Sequence, residues 1–200
     1  FASAPDLVST FGAIVLEELQ NAGITPVIKH IPGHGRGTVD SHLELPVVST
    51  PRDKLANADF IPFKVLSSSP WGMTAHIVFD KIDPDWPATQ SAIVIKEIIR
   101  EEIGFEGLLL TDDLNMQALK GTLDERASRA LEAGVDIVLH CSGILEEMKT
   151  VAAACRVLTE DAIGRIEKAQ VMLNNEPVIA ENQDELVAEL KGLMTLVEVE

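Results

Sequence analysis

The sequence lacks long hydrophobic runs and is poor in basic residues. Apolar stretches such as AIVI and GLLL are much shorter than the roughly 20 residues that a transmembrane helix needs, so we expect no membrane span. Only 16 lysines and arginines stand against 32 aspartates and glutamates in 200 residues, which gives a formal net charge of −16. A surface this acidic repels phosphate backbones and anionic lipids, so binding to nucleic acids or membranes is disfavoured.

Cysteine is scarce as well. The two cysteines, Cys141 and Cys155, are typical of a protein in a reducing compartment, and we predict a cytoplasmic location. One disulfide between them remains an alternative, but we expect both to be small buried apolar residues. The sequence has no repeat of fixed period and no low-complexity linker, and its length suits one domain with a hydrophobic core.

Apolar runs and amphipathic segments alternate along the chain. Four apolar runs predict strands: TPVIKH, WGMTAHIVF, GLLLTDDL and DIVLHC. Helices are predicted around them. The first has an N-cap at Ser3, a stop at Gly23 and apolar residues at helical spacing that include Phe11. Because each predicted strand is a continuous apolar run, the pattern indicates an α/β fold with a parallel sheet buried on both faces.

Polar residues gather where these predicted strands end, at Lys29 and His30, Thr74 and His76, Thr111 to Asp113, and His140. In a (β/α)8 barrel this edge carries the active site. Only four βα units can be counted, whereas a complete TIM barrel has eight strands and about 250 residues. We therefore predict the C-terminal half of a (β/α)8 barrel over residues 1–158, and an extension of two acidic amphipathic helices over residues 159–200.

The motif TDD places two carboxylates at the end of the third predicted strand. Side chains alternate along a strand, so only one of Asp112 and Asp113 is expected to face the barrel mouth. An ionised carboxylate there can act as a nucleophile, a metal ligand or a hydrogen-bond acceptor. The alternative is structural, since aspartate is a good N-cap and both residues could cap the following helix.

The stretch KHIPGHGRGTVDSH contains three of the five histidines. Lys29 and His30 end a strand, where a cation beside an imidazole suits sugar hydroxyls or an anion. His42 can exchange a proton near neutral pH, and Asp40 can fix its tautomer, although Asp-x-His also occurs in ordinary polar loops. The stretch lacks the spacing of a P-loop, and we expect its glycines to let the loop turn sharply, at Gly33, Gly35 and Gly37.

A metal site is an alternative use of these side chains. Barrel hydrolases bind metals with histidine and aspartate, and such a site could draw on His30, His34, Asp40, His42, His76 and Asp112. The sequence lacks a His-x-His pair on a strand, however, and His30 and His34 flank a proline turn instead of sharing a helix face. We therefore predict neither a metal nor another cofactor.

Four stretches together resemble one known family. KHIPGHGRGTVDSHLELPVV, MTAHIVF, PATQS and IGFEGLLLTDDLNMQAL, in this order, look like the glycoside hydrolase family 3 β-N-acetylglucosaminidases of bacterial peptidoglycan recycling. The resemblance covers about residues 1–142, and the long string from Lys-His to Asp-Ser-His is its most specific part. It implies a TIM barrel, retaining hydrolysis without a metal, and terminal N-acetylglucosamine of cell-wall muropeptides as the substrate.

The resemblance also implies roles for individual residues. Asp112 would be the nucleophile that forms a covalent glycosyl-enzyme, and His42, with Asp40 as its partner, would be the general acid/base. The side chains expected to bind the sugar or to line its pocket are Lys29, His30, His34, Thr74, His76 and Met116.

The same resemblance predicts that part of the enzyme is missing. In that family, an aspartate and arginines from the first half of the barrel also bind the sugar, and we expect this chain to lack them. Half a barrel has two open sheet edges, which invites pairing with the missing half or with a second copy. Two alternatives to a working glycosidase stay open: a metal-dependent barrel hydrolase and a catalytically incomplete sugar-binding fragment.

Overall fold

A computed structural model describes residues 2–41, 43–173 and 182–195. Within these ranges the strands are β1 (Val27–Ile31), β2 (Val47–Val48), β3 (Trp71–Thr74), β4 (Val78–Phe79), β5 (Leu108–Asp113) and β6 (Ile137–Leu139). The main sheet has four strands in the order β1-β3-β5-β6, and β2 pairs with β4 beside it. Every pairing is parallel, which confirms the predicted α/β fold with a parallel sheet.

Helices connect and follow these strands. They are α1 (Pro5–Asn21), α2 (Arg52–Ala56), α3 (Ile61–Val65), a 3-10 turn (Ala88–Gln90), a π-helix (Val94–Glu102), α4 (Leu123–Ala133), α5 (Leu145–Ala154), α6 (Glu160–Leu173) and α7 (Gln183–Met194). The two helices predicted in the tail are confirmed as α6 and α7. None of the described helices has both the length and the apolar composition needed to cross a bilayer.

The sequence patterns locate the strands well but miss a break. The predicted strand WGMTAHIVF is two strands, β3 and β4, because the chain leaves the main sheet at Ala75 and pairs with β2 at Val78. The short helices α2 and α3 were not predicted. Their apolar residues are too few to show a helical period.

The two ends of α1 test the helix start and stop that the sequence predicted. The predicted N-cap at Ser3 is wrong, since the helix begins at Pro5 and Ala4 precedes it. Proline already has a helical φ and no N–H to satisfy, so it can start a helix without a side-chain cap. The predicted stop is confirmed, because Gly23 has φ +73°.

The core lies between the main sheet and the helices that cover it. Leu108, Leu109 and Leu110 of β5 are all buried, as expected for a strand covered on both faces. Gly72 of β3 sits where a side chain could not fit: a Cβ there would lie 2.6 Å from Ile31 Cδ1 and 2.8 Å from Phe105 Cζ. The sheet and the Phe105 ring therefore approach each other through this glycine.

The predicted burial of the two cysteines is wrong, and the apolar residues of α1 are largely exposed, with Phe11 at 46% and Ile14 at 52%. Cys141 and Cys155 are free and exposed, because Cys141 follows β6 at the open sheet edge and Cys155 ends α5. Burial depends on which elements lie opposite, and a periodic pattern does not specify those.

A buried ion-pair cluster joins α6 to the amino-terminal edge of the sheet. Asp136, just before β6, accepts hydrogen bonds from Arg100 at 2.9 Å, from the Leu109 N–H at 2.8 Å and from Arg165 at 2.7 Å. Burial, and then the charge of Arg165, lowers the pKa of Arg100, while Asp136 opposes the shift. Residues 159–173 thus pack on the sheet, and the division at residue 158 stays a prediction.

Candidate active site

The carboxyl ends of the parallel strands bring the predicted site residues to one edge. Lys29 and His30 come from the end of β1, Asp112 and Asp113 from the end of β5, and His140 directly follows β6. Parallel strands place these residues side by side although they are far apart in sequence. Asp112 and His30 are in contact, with 3.3 Å between Oδ2 and Nε2.

The two aspartates at this edge have different surroundings. Asp112 is 18% exposed in its side chain, and its Oδ1 accepts the backbone N–H of Asp113 at 2.8 Å. The Oδ1 of Asp113 instead accepts the N–H groups of Asn115 at 3.0 Å and Cys141 at 3.1 Å. Asp112 therefore presents a carboxylate to the edge, whereas Asp113 ties the loop after β5 to the loop after β6.

The alternative that these aspartates cap the next helix is wrong. Helix α4 begins ten residues after Asp113, and its N-cap is Thr122, whose N–H donates to Glu125 Oε2 at 2.9 Å. The sequence analysis missed that Asp113 connects two loops through its carboxylate. The Asp-x-Asn sequence could have indicated part of this role, because an aspartate often accepts the N–H of the residue two positions later.

The net effect of the surroundings of His30 is to favour its neutral form. Burial is the largest effect that lowers the pKa of its imidazole, and the charges of Lys29 and His34 act in the same direction, while Asp112 opposes them. At neutral pH the ring therefore carries one N–H and one acceptor nitrogen. A neutral imidazole beside a carboxylate can donate to or accept from a sugar hydroxyl.

The glycine-bearing loop after β1 folds back over this edge. The ring of His34 packs edge-on against that of His30, with 5.7 Å between centroids, and His34 Nε2 is 3.3 Å from Ser41 Oγ. Gly33 has φ +145°, whereas Gly35 and Gly37 do not have positive φ. The predicted sharp turn is thus made by the glycine that directly follows Pro32.

The predicted acid/base pair lies further along the same loop. The backbone oxygen of Asp40 accepts the N–H groups of Leu43 and Glu44 at 2.9 and 3.0 Å, which forms a tight turn. His42 lies outside the described residues. Its role as general acid/base, with Asp40 as its partner, stays a prediction.

Three residues predicted to line the pocket are buried. Thr74, His76 and Met116 are 0%, 1% and 6% exposed. Thr74 and His76 both hydrogen-bond to the hydroxyl of Thr89. Thr89 was not among the predicted site residues, because it lies in PATQS, far from any predicted strand end. Contacts of these three side chains with a sugar stay predictions.

Within the described part of the chain, no three or more His, Cys, Asp or Glu side chains are arranged to hold a metal ion. His42, one of the six residues of the metal alternative, lies outside the described residues.

The chain matches the model of the family described as Glycosyl hydrolase family 3 N terminal domain over residues 1–176. The chain belongs to glycosyl hydrolase family 3. The predicted family is confirmed.

Curated beta-hexosaminidases are similar to this chain in sequence. A beta-hexosaminidase of Alkalilimnicola ehrlichii is 43% identical over 146 residues, which are 71% of this chain and 42% of that protein. A beta-hexosaminidase of Nitrosospira multiformis is 39% identical over 146 residues, which are again 71% of this chain and 42% of that protein. The chain thus spans about two fifths of the length of the curated relatives it matches.

Solved structures of family 3 enzymes are also similar. The β-N-acetylglucosaminidase of Paenibacillus sp. str. FPU-7 has a TM-score of 0.80 at 29% identity, covering 94% of this chain and 40% of that one. NagZ of Neisseria gonorrhoeae, in complex with N-trifluoroacetyl-D-glucosamine, has a TM-score of 0.73 at 31% identity, covering 96% of this chain and 54% of that one.

Proposed function

We propose that the carboxyl edge of the main sheet is the active site of a retaining exo-β-N-acetylglucosaminidase. The observation that carries the proposal is the Asp112 carboxylate, with Oδ1 held by the Asp113 N–H at 2.8 Å and Oδ2 beside His30 at 3.3 Å. A carboxylate held at a fixed angle beside a neutral imidazole suits attack on a sugar carbon. The names of the family 3 relatives support this chemistry.

Catalysis would proceed in two steps. An oxygen of Asp112 attacks the anomeric carbon from one face, and the bond to the leaving oxygen breaks as that oxygen takes a proton from His42. Water, deprotonated by His42, then attacks the same carbon, which releases the sugar and restores the Asp112 carboxylate. Asp40 would hold the His42 ring in the tautomer that these transfers need. Because a histidine replaces the second carboxyl group, the usual carboxylate separation does not apply here.

The sugar would lie between β1 and the loop that follows it. Lys29 is exposed and His30 half-buried at this edge, so an ammonium and an imidazole are available for the hydroxyls of terminal N-acetylglucosamine. His34 and Met116 would provide further contacts. The N-trifluoroacetyl-D-glucosamine bound by Neisseria NagZ supports a sugar of this size and type, and we extend it to muropeptides in the cytoplasm.

The chain would act as the C-terminal half of a (β/α)8 barrel. Four parallel strands with β1 and β6 as outer strands correspond to half of an eight-stranded barrel. The match to two fifths of the length of the relatives supports the same division. A second half, from a partner or a second copy, would cover the open edges of β1 and β6.

An aryl β-N-acetylglucosaminide tests the proposal on the 200-residue chain itself. We expect turnover by the parent chain and a loss of about 1000-fold or more in Asp112→Ala, since a covalent nucleophile cannot be bypassed. Asp184→Ala is the matched control, because it removes an exposed aspartate on α7, and its activity should equal that of the parent.

A fluorinated N-acetylglucosaminide provides the second readout. The parent should gain the mass of one sugar on the peptide that contains Asp112, and Asp112→Ala should gain none. Equal turnover by the parent and Asp112→Ala would disprove the nucleophile. Binding of N-acetylglucosamine in calorimetry without turnover would instead show a sugar-binding fragment.

A further inference from the structure

His76 bridges two strands beyond the point where their ladder ends. The regular pairing of β3 with β5 stops at Met73 and Leu110. Past that point, the His76 ring lies between Thr89 Oγ1, 2.7 Å from Nδ1, and the backbone oxygen of Asp113, 3.1 Å from Nε2. With 1% exposure, the ring is part of the interior and both its nitrogens are used.

The partners of the ring determine where its hydrogen is. A backbone oxygen only accepts, so Nε2 carries a hydrogen and donates it to Asp113. Burial is the largest effect that lowers the pKa of His76, so the ring is neutral and Nδ1 is an acceptor. Nδ1 therefore accepts the hydroxyl hydrogen of Thr89, and Thr89 Oγ1 accepts that of Thr74 at 2.9 Å. The Ala75 backbone oxygen, 3.0 Å from Thr89 Oγ1, is a competing acceptor for this hydroxyl. The hydroxyl has one hydrogen, and a neutral Nδ1 at the shorter distance of 2.7 Å can bond Thr89 Oγ1 only by accepting that hydrogen.

Asp113 transmits the position of His76 to Asp112. The N–H of Asp113 donates to Asp112 Oδ1, and the Asp113 carboxylate accepts the N–H groups of Asn115 and Cys141. The backbone oxygen of Asp113 accepts from His76 Nε2 and also from the Met116 N–H, each at 3.1 Å. His76 is the side chain that holds this oxygen from across the sheet, whereas Met116 belongs to the turn that follows β5. A rotation of the backbone at Asp113 would break this bond and would turn the N–H that orients Asp112.

We propose that His76 is a positioning residue for Asp112. Its Nε2–H holds the Asp113 backbone, and the Asp113 N–H then directs the Asp112 carboxylate toward His30. The catalytic meaning of this chain of bonds rests on the proposed function, whereas the bonds themselves can be tested without turnover. His76 need not touch the substrate, which agrees with its burial.

The first test needs no variant. Long-range ¹H–¹⁵N NMR of the full chain, labelled at histidine, reports the tautomer of each ring. We expect His76 to be neutral with its hydrogen on Nε2 at pH 7 and to stay so when the pH is lowered to about 6, where an ordinary histidine is largely protonated. A hydrogen on Nδ1, or a protonated ring at pH 7, would overturn the proposal.

Two matched variants test the effect on Asp112. In His76→Gln the side-chain amide nitrogen reaches the place of Nε2 and can still donate to Asp113, whereas in His76→Asn it reaches only the place of Nδ1. The charge of Asp112 raises the pKa of His30. His76 itself lowers the pKa of His30, and both variants remove that effect, so the variants are compared with each other. We expect His30 to titrate at a lower pH in His76→Asn than in His76→Gln.

Turnover gives a separate readout on the same variants. We expect kcat to fall about 100-fold in His76→Asn with KM nearly unchanged, and to be largely kept in His76→Gln, because a misplaced nucleophile slows the chemical step. Equal effects of the two variants on His30 and on kcat would overturn the proposal. If the parent chain does not turn over substrate, the proposed function fails, but the His30 titrations and the tautomer still decide the role of His76. If His76→Asn does not fold, the NMR measurement of the His76 tautomer in the parent chain still tests the role of His76.

Discussion

At the residue scale, the carboxyl edge places two histidines in surroundings that keep them neutral. His30 is half-buried against Asp112, and His76 is enclosed by Thr89 and the Asp113 backbone. Burial is the largest cause of a lowered pKa in both. A neutral ring offers one donor and one acceptor, so both histidines can organise hydrogen bonds around Asp112 without adding a positive charge.

These two lowered pKa values predict acid sensitivity. In the unfolded chain His30 and His76 take up protons below about pH 6.5, whereas in the folded chain they resist protonation, so the free energy of unfolding should fall as the pH drops through that value. Urea denaturation at pH 7.5, 6.5 and 5.5 measures the slope. His76→Gln cannot titrate at this position and should show a shallower slope; an identical slope in both chains would contradict a lowered pKa at His76.

At the scale of elements, the sheet requires a close approach at β3. Gly72 lies opposite Leu109 of β5, and the Phe105 ring and Ile31 fill the space that a side chain would need. The glycine has no positive φ, so its small size and not its conformational freedom is what the fold uses.

Gly72→Ala should therefore destabilise the chain by about 1–3 kcal/mol, because an added methyl overpacks a filled core. Chemical denaturation measures the change. Gly164→Ala in α6 is the control: no atom lies within 4 Å of the added Cβ, and alanine is favoured over glycine in a helix by about 0.5–1 kcal/mol. An equal change in the free energy of unfolding in Gly72→Ala and Gly164→Ala would show that backbone preference, and not packing, determines the effect of the substitution.

At the scale of the whole molecule, apolar surface remains open on α1, and the outer strand β1 has a free edge among the described strands. Phe11, Ile14 and Val15 of α1 are exposed, and β1, the outer strand on one side of the sheet, pairs only with β3 among the described strands. A contiguous apolar face of this kind is typical of an interaction surface. It agrees with the proposal that a second half covers the sheet.

We expect the isolated chain to self-associate through this face. Sedimentation should show a weight-average mass that rises with concentration, and Phe11→Glu should shift it toward that of a monomer, because a charge opposes apolar contact. Gln170→Glu changes the charge equally at an exposed site on α6 and should leave the association unchanged. A parent chain that stays monomeric at high concentration would contradict the prediction.

The sequence by itself determined the class of fold, the family and the edge of the sheet at which the proposed site residues gather. Continuous apolar runs specify buried parallel strands, and amphipathic segments specify helices, because these patterns arise from local backbone geometry. In such a sheet, residues that follow the strands must meet at one edge, which is why Asp112 and His30 could be named before any coordinates.

Only the tertiary structure decided which neighbours each side chain has. Asp112 is distinguished from Asp113 by N–H groups of Asn115 and Cys141, and His76 meets the Asp113 backbone across 37 residues of sequence. The exposure of Phe11 and of both cysteines follows from what lies opposite them. These contacts join residues that are distant in sequence, and local periodicity has no information about them.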